Sequence, residues 1–173
     1  MRRAQAAWIL PVMTAAPRAA WTIPLADGPV SKFADRLTAL VVAVAAVVLT
    51  WKLAGVAPDQ RGHGTHEQFG MAPCGWPEVY GIPCPTCGCT TACAQLVRGE
   101  LVGAFVTQPF GAAVAALGLL AGLHALLCLV RGRSFVDALV RLPFWRLTAG
   151  MFVLLWVAWG YKYWTWGDLA RSE

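Results

Sequence analysis

Five of the six cysteines fall within residues 74–93: Cys74, Cys84, Cys87, Cys89 and Cys93. The densest run is Pro83-Cys84-Pro85-Thr86-Cys87-Gly88-Cys89-Thr90. A Cys-x-x-Cys pair just ahead of a helix supports three chemistries. Its sulfurs can form a strained, reducible disulfide. They can supply two ligands of a tetrahedral metal site. Or one can act as a thiolate, because the free N–H groups and dipole at a helix start favour negative charge and lower a thiol pKa. Pro85 stiffens the turn, and Gly88 admits unusual backbone angles.

The structural reading comes first. In an oxidising compartment cysteines pair, and Cys74 is placed to close a loop with Cys84 or Cys87. Five is an odd number, so at least one thiol stays free or pairs between chains. Cys89 and Cys93, four apart, also suit packing as small hydrophobes. The second reading is a metal site, with zinc as the metal. Cys84 and Cys87 would be its first ligands, and Cys74, Cys89, Cys93, His63 and His66 are candidates for the others. A second Cys-x-x-Cys, usual in zinc ribbons, is absent. The third is thiol–disulfide redox chemistry through Cys84 and Cys87. It has one convincing pair and no thioredoxin-like βαβ pattern to hold it. Nothing resembles a phosphate loop, a serine hydrolase elbow or a paired carboxylate site, so the balance is against an enzyme.

The run from Cys84 to Thr90, followed by Arg98-Gly99-Glu100 and then by Gln108-Pro109-Phe110, resembles the signature of domain of unknown function 2752, a family of small bacterial membrane proteins. The family pattern is Cys-Pro-x-Cys-Gly-x-Thr-Arg, then Arg-Gly-Asp, then Asn-Pro before an apolar helix. The resemblance covers about residues 37–166, with its specific part at 84–110. It implies that Pro85, Gly88, Thr90, Arg98, Gly99, Glu100 and Pro109 support the cysteine motif, and it implies no reaction. Thr91, Glu100 and Gln108 depart from the pattern. At position 91 the family has a cationic residue beside the cysteines; here Arg98 is the substitute within reach in sequence.

Something must position this cluster, and composition says what. Charged residues make up 13% of the 173 residues, about half the share of a soluble domain. Three segments, about residues 37–56, 110–130 and 147–166, meet the roughly 20-residue apolar length that spans a bilayer. The expected fold is therefore all-α: a polytopic membrane protein with three transmembrane helices plus a short interfacial amphipathic helix. That fourth helix falls within 86–107, where Cys89, Ala92, Cys93, Leu96 and Val97 recur at helical spacing while Thr91, Gln95 and Arg98 take another face. Residues 57–83, rich in Pro, Gly and His, are expected to be irregular.

Orientation follows from Lys and Arg. Arg2, Arg3, Arg18, Lys32 and Arg36 precede the first span, and Arg131, Arg133, Arg141 and Arg146 lie between the second and third. The loop between the first and second spans holds only Arg61 and Arg98. The side with nine basic residues should be cytoplasmic, which puts the N-terminus inside, the cysteine-rich loop 57–108 outside and the C-terminus outside, in a bacterial inner membrane. Lys52 and Lys162, among tryptophans and tyrosines, then read as lysines snorkelling at the outer interface. Residues 1–36 are expected to form a cytoplasmic tail, with 1–30 retained and poorly ordered or interfacial, and 167–173 an outer tail.

The clustered basic residues suit a membrane surface rather than nucleic acid. The lipid bilayer is the first partner. Gly118-x-x-x-Gly122 is a small-residue packing motif suited to contacts within the chain, to a second copy or to another membrane protein. His124 and Cys128 share a face of the second span, and interhelical hydrogen bonding by a neutral histidine is the favoured role. The expected function is that of a structural or accessory, partner-binding membrane protein with a cysteine-stabilised outer loop. The alternative is metal binding or thiol–disulfide chemistry at Cys84 and Cys87.

Overall fold

The computed structural model describes residues 30–169, so the expectations for 1–29 and for the last four residues lie outside it. Its regular structure is helical: α1 (Lys32–Ala54), a 3-10 turn (Thr65–Phe69), α2 (Gly75–Tyr80), α3 (Cys89–Val97), α4 (Leu101–Thr107), α5 (Pro109–Arg131), α6 (Phe135–Val140) and α7 (Phe144–Leu169).

α1 and α5 pack on each other and form the spine. α1 starts at Lys32 because the Ser31 hydroxyl accepts from the Ala34 N–H. α5 starts at Pro109, whose missing N–H costs nothing in a first turn, and stops at Gly132 in a left-handed conformation. Each has 23 residues, about 35 Å of helix against a hydrocarbon core of about 30 Å. Both are long and apolar enough to cross a membrane, and only 11% and 17% of their most apolar stretches are buried within the chain. A core helix of a soluble domain would be mostly buried. α7 is longer but is not among the helices that meet that test. Its Trp, Tyr, Arg146 and Lys162 side chains lower its mean hydropathy.

Small residues let the spine close. A Cβ on Gly111 would sit 2.6 Å from the Cys89 Cα, and one on Gly122 would overlap the Ala46 side chain, so α3 and α1 meet α5 backbone to backbone. Gly118 has nothing within 4 Å of its Cβ position. The Gly118-x-x-x-Gly122 motif therefore splits, with Gly122 used inside the chain and Gly118 open.

At the end where α1 begins, Asp35 is buried. Its carboxylate accepts from the Ser134 hydroxyl at 2.8 Å, the Val136 N–H at 2.8 Å and the Phe135 N–H at 3.4 Å. A carboxylate at the N-terminus of α6 satisfies otherwise orphaned N–H groups. His124 and Cys128 approach within 3.6 Å along one face of α5, and the His124 ring packs near Phe135.

At the other end, α3 is the hub. It packs on α4, α5, α1 and the 3-10 turn. The expected amphipathic helix, α3, packs against the bundle. Its polar face is covered as well: Thr91 is buried, and its hydroxyl meets the Thr65 hydroxyl at 2.8 Å. α3 ends in a Schellman-type cap. Gly99 is left-handed at φ +85°, and the Glu100 N–H returns to the Gln95 carbonyl at 2.9 Å. α4 follows and leaves Leu101, Val102, Phe105 and Val106 exposed.

Candidate functional site: a clamped cysteine turn

The stretch between α2 and α3 is two linked turns. The Cys87 N–H donates to the Cys84 carbonyl at 3.0 Å, with Pro85 at the second position, where its fixed φ is favourable. The Cys89 N–H donates to the Thr86 carbonyl at 3.0 Å, and the Ala92 N–H to the Gly88 carbonyl at 2.9 Å, which starts α3. The remaining carbonyls are taken by side chains from other helices. Gln108 Nε2, fully buried at the start of α5, donates to the Pro85 carbonyl at 3.2 Å and the Cys87 carbonyl at 3.5 Å. Trp159 Nε1, on α7, donates to the Pro83 carbonyl at 2.9 Å. Every carbonyl from Pro83 to Gly88 thus has a donor.

Lys162 supplies a second tie from α7. It is 2% exposed. Its ammonium donates to the Gly62 carbonyl at 3.1 Å and the Thr107 carbonyl at 3.4 Å. It does not snorkel: the loop folds over it. A Cβ on Gly88, at φ +87°, would sit 3.4 Å from Lys162 Nζ and 2.5 Å from the Gly62 carbonyl oxygen, so loop, turn and lysine close only around a glycine. Tyr161 donates its hydroxyl to the Val106 carbonyl, and the Trp166 ring packs on His63.

The cysteines divide into two groups. Cys74, Cys84 and Cys87 border an open cavity of about 460 Å³, whose polar wall includes Arg61, His66 and Glu78. The Cys74 thiol feels the neighbouring Cys84 thiol, and Cys84 Sγ lies 3.6 Å from the Thr86 hydroxyl. Cys89 and Cys93 face an almost wholly apolar cavity of about 480 Å³ between α1, α3 and α5, and the Cys93 thiol donates to the Gly111 carbonyl at 3.4 Å. Thr90 lines both cavities. All six cysteines are thiols in this structure.

Burial decides their acidity. Desolvation pushes the Cys87 and Cys89 thiols up to about 12, and Lys162 offsets only part of this. Burial raises Cys93 too, and for Cys74 burial is joined by the neighbouring Cys84 thiol. A helix start favours thiolate in isolation, but at Cys87 burial outweighs it because its sulfur lies inside the protein.

Among the described residues, no three of the His, Cys, Asp and Glu side chains are grouped as metal ligands. His63 Nδ1 lies 2.9 Å from the Arg61 carbonyl, and His66 Nε2 lies 3.2 Å from the Ala72 carbonyl, so each ring has one nitrogen committed to a backbone acceptor. Arg61 pairs with Asp59 at 2.8 Å and Glu67 at 3.3 Å. The guanidinium hydrogen bond holds Asp59 below the usual carboxylate range.

Arg98 is not a partner of the cysteines. Its guanidinium donates to the Ala54 and Val56 carbonyls at 3.0 and 2.7 Å, which ties the end of α3 to the end of α1. The cation near the cysteines is Lys162, contributed by a helix more than seventy residues later in sequence. Gln108, Trp159 and Lys162 are the residues that sequence reasoning missed as site-builders. The adjacency of Gln108 to Pro109 inside the family-like motif was the available signal for the first; a lysine amid aromatics was a misleading one for the last.

A search of curated proteins and a search of solved structures each give no match. A family model, described as Protein of unknown function (DUF2752), matches residues 74–122. That stretch runs from Cys74 through the clamped turn and α3 into α5, and over it the chain is similar to the DUF2752 family.

Proposed function

We propose that this chain is an accessory protein of the bacterial inner membrane whose cysteine-stabilised outer loop is a rigid surface for a partner. α1, α5 and α7 are its three spans, the N-terminus is cytoplasmic and the loop 57–108 is extracytoplasmic. The observation that carries this reading is the clamped turn: all carbonyls from Pro83 to Gly88 are hydrogen-bonded, two of the donors being the side chains of Gln108 and Trp159. A stretch with no free acceptors is fixed in shape before any partner arrives, which lowers the cost of ordering it on binding. Orientation rests on the nine-to-two division of basic residues. The third span rests on the aromatic end of α7, because tryptophan and tyrosine favour the interface although they lower hydropathy. Cys74 and Cys84, which line the same cavity, are the pair that oxidation joins, closing the loop around α2.

Membrane-impermeant maleimide applied to intact spheroplasts tests both parts. Cys74 and Cys84 should label from outside after mild reduction and resist labelling before it. Labelling from the cytoplasmic side alone would overturn the orientation; equal labelling without reductant would overturn the disulfide.

A second reading has its own observation. Cys84 has two thiol neighbours, Cys74 across the shared cavity and Cys87 through the turn. A β-turn brings its first and fourth Cα atoms within 7 Å, close to the span a disulfide bridges. A disulfide at Cys84 can therefore pass from one neighbour to the other, which is thiol–disulfide exchange.

A further inference from the structure

We infer that Lys162 is a positioning residue for this exchange: it is the cation that receives the charge released when Cys87 leaves Cys84. The inference rests on the exchange reading and adds the group that would make it run.

Lys162 is a buried ammonium with an unusual set of neighbours. Its hydrogen-bond partners are two neutral carbonyls, of Gly62 and Thr107. No ion pair among the described residues includes it. It sits against Gly88, which lies between Cys87 and Cys89 in the chain. Burying a cation costs several kcal/mol unless an anion or good hydrogen bonds compensate. Two carbonyls compensate in part, and negative charge forming at Cys87 would complete the compensation. A methyl group added at Gly88 would meet Nζ at 3.4 Å, which places the ammonium alongside the turn.

The roles of the sulfurs follow from their positions. Cys84 borders the open cavity and is partly exposed, whereas Cys87 is 5% exposed. An attacking thiolate, from Cys74 or from an incoming thiol, reaches Cys84 Sγ. The new S–S bond forms at Cys84, the bond between Cys84 and Cys87 breaks, and its electron pair goes to Cys87 Sγ as a thiolate. One disulfide is lost and one formed, so no other oxidant or reductant is needed. A buried leaving thiolate is poor because desolvation raises its basicity, and leaving groups of higher pKa leave more slowly. A cation already beside that sulfur counters the penalty at the moment charge develops.

The test uses the full chain in detergent micelles carrying Cys74→Ser, which leaves Cys87 as the neighbour of Cys84. Oxidised glutathione forms the disulfide, peptide mass mapping identifies it, and dithiothreitol reduces it. Lys162→Gln keeps a donor for the two carbonyls but removes the charge. Reduction should slow by about five- to ten-fold, and Lys162→Arg should restore most of the rate. Maleimide alkylation of Cys84 in the reduced protein should stay at its original rate, which a displaced turn would not allow. Lys162→Met, similar in volume and uncharged, serves if the glutamine variant does not fold. An unchanged reduction rate in the neutral variants would overturn the role of Lys162 and leave exchange standing. Failure of Cys84 and Cys87 to form a disulfide at all would overturn the exchange reading, and the inference with it.

Discussion

Replacing Gly88 with alanine tests whether the cysteine turn, the loop and α7 close around one point. Two separate costs arise. The backbone at φ +87° lies in the left-handed region, which costs an L-residue about 1–2 kcal/mol. The added methyl would stand 2.5 Å from the Gly62 carbonyl oxygen, so backbone rather than a flexible side chain must move. Moving that carbonyl disturbs its 3.1 Å bond from Lys162, a charged hydrogen bond worth about 1.5–3 kcal/mol. Against these stands a gain of about 0.4–1 kcal/mol from restricting the unfolded chain. The balance is a loss of about 2–4 kcal/mol. Trp159 and Trp166 contact this region, so tryptophan fluorescence during denaturant titration in micelles reads the loss directly. Gly118→Ala is the internal control. Its Cβ meets nothing within 4 Å and its backbone is ordinary helix, so it should be neutral or gain up to about 1 kcal/mol. If Gly88→Ala falls within about 0.5 kcal/mol of the parent while Gly118→Ala behaves as expected, the closure at Gly88 is not what holds the site together.

Two further predictions concern acidity and the opposite end of the bundle. With the Cys87 and Cys89 thiols pushed up to about 12, thiolate is scarce at pH 8, and iodoacetamide should modify them about a thousand-fold more slowly than an ordinary cysteine. Because the shift is upward, the rate should rise about ten-fold per pH unit towards pH 11, and a plateau near pH 9 would count against burial as its cause. Asp35→Ala removes the acceptor for three donors at the start of α6. It should cost about 2–4 kcal/mol, with Asp35→Asn recovering part of the loss; an unchanged unfolding midpoint would argue that α6 is not anchored there.

The helical framework was legible because its signals are local. The apolar runs at 37–56 and 110–130 coincide with the bodies of α1 and α5, and Pro109 and Gly99 mark a start and a stop that their backbone chemistry requires. What could not be read was the assembly of remote side chains on the turn. Periodicity put Thr91 on a polar face, but whether water or Thr65 covers that face depends on a loop 26 residues away. The cysteine spacing suggested acidic thiols, yet the outcome depends on how deeply other elements bury the sulfurs, which spacing does not encode. Lys162 misled for a related reason. A lysine among aromatics at a helix end normally reaches water, and only the fold of residues 57–64 over it converts an interfacial residue into an interior one.

The chain order of the clamp has a consequence for biogenesis. Gln108 follows the turn by some twenty residues, but Trp159 and Lys162 emerge from the ribosome about fifty residues after Gln108. Until α7 arrives, the Pro83, Gly62 and Thr107 carbonyls lack these partners. The cysteines therefore meet any oxidising environment before their final neighbours are in place, and the last helix acts as the latch that selects which sulfurs end up side by side. A nascent chain stalled before α7 should scramble its thiols, so the fidelity of the turn is decided by α7.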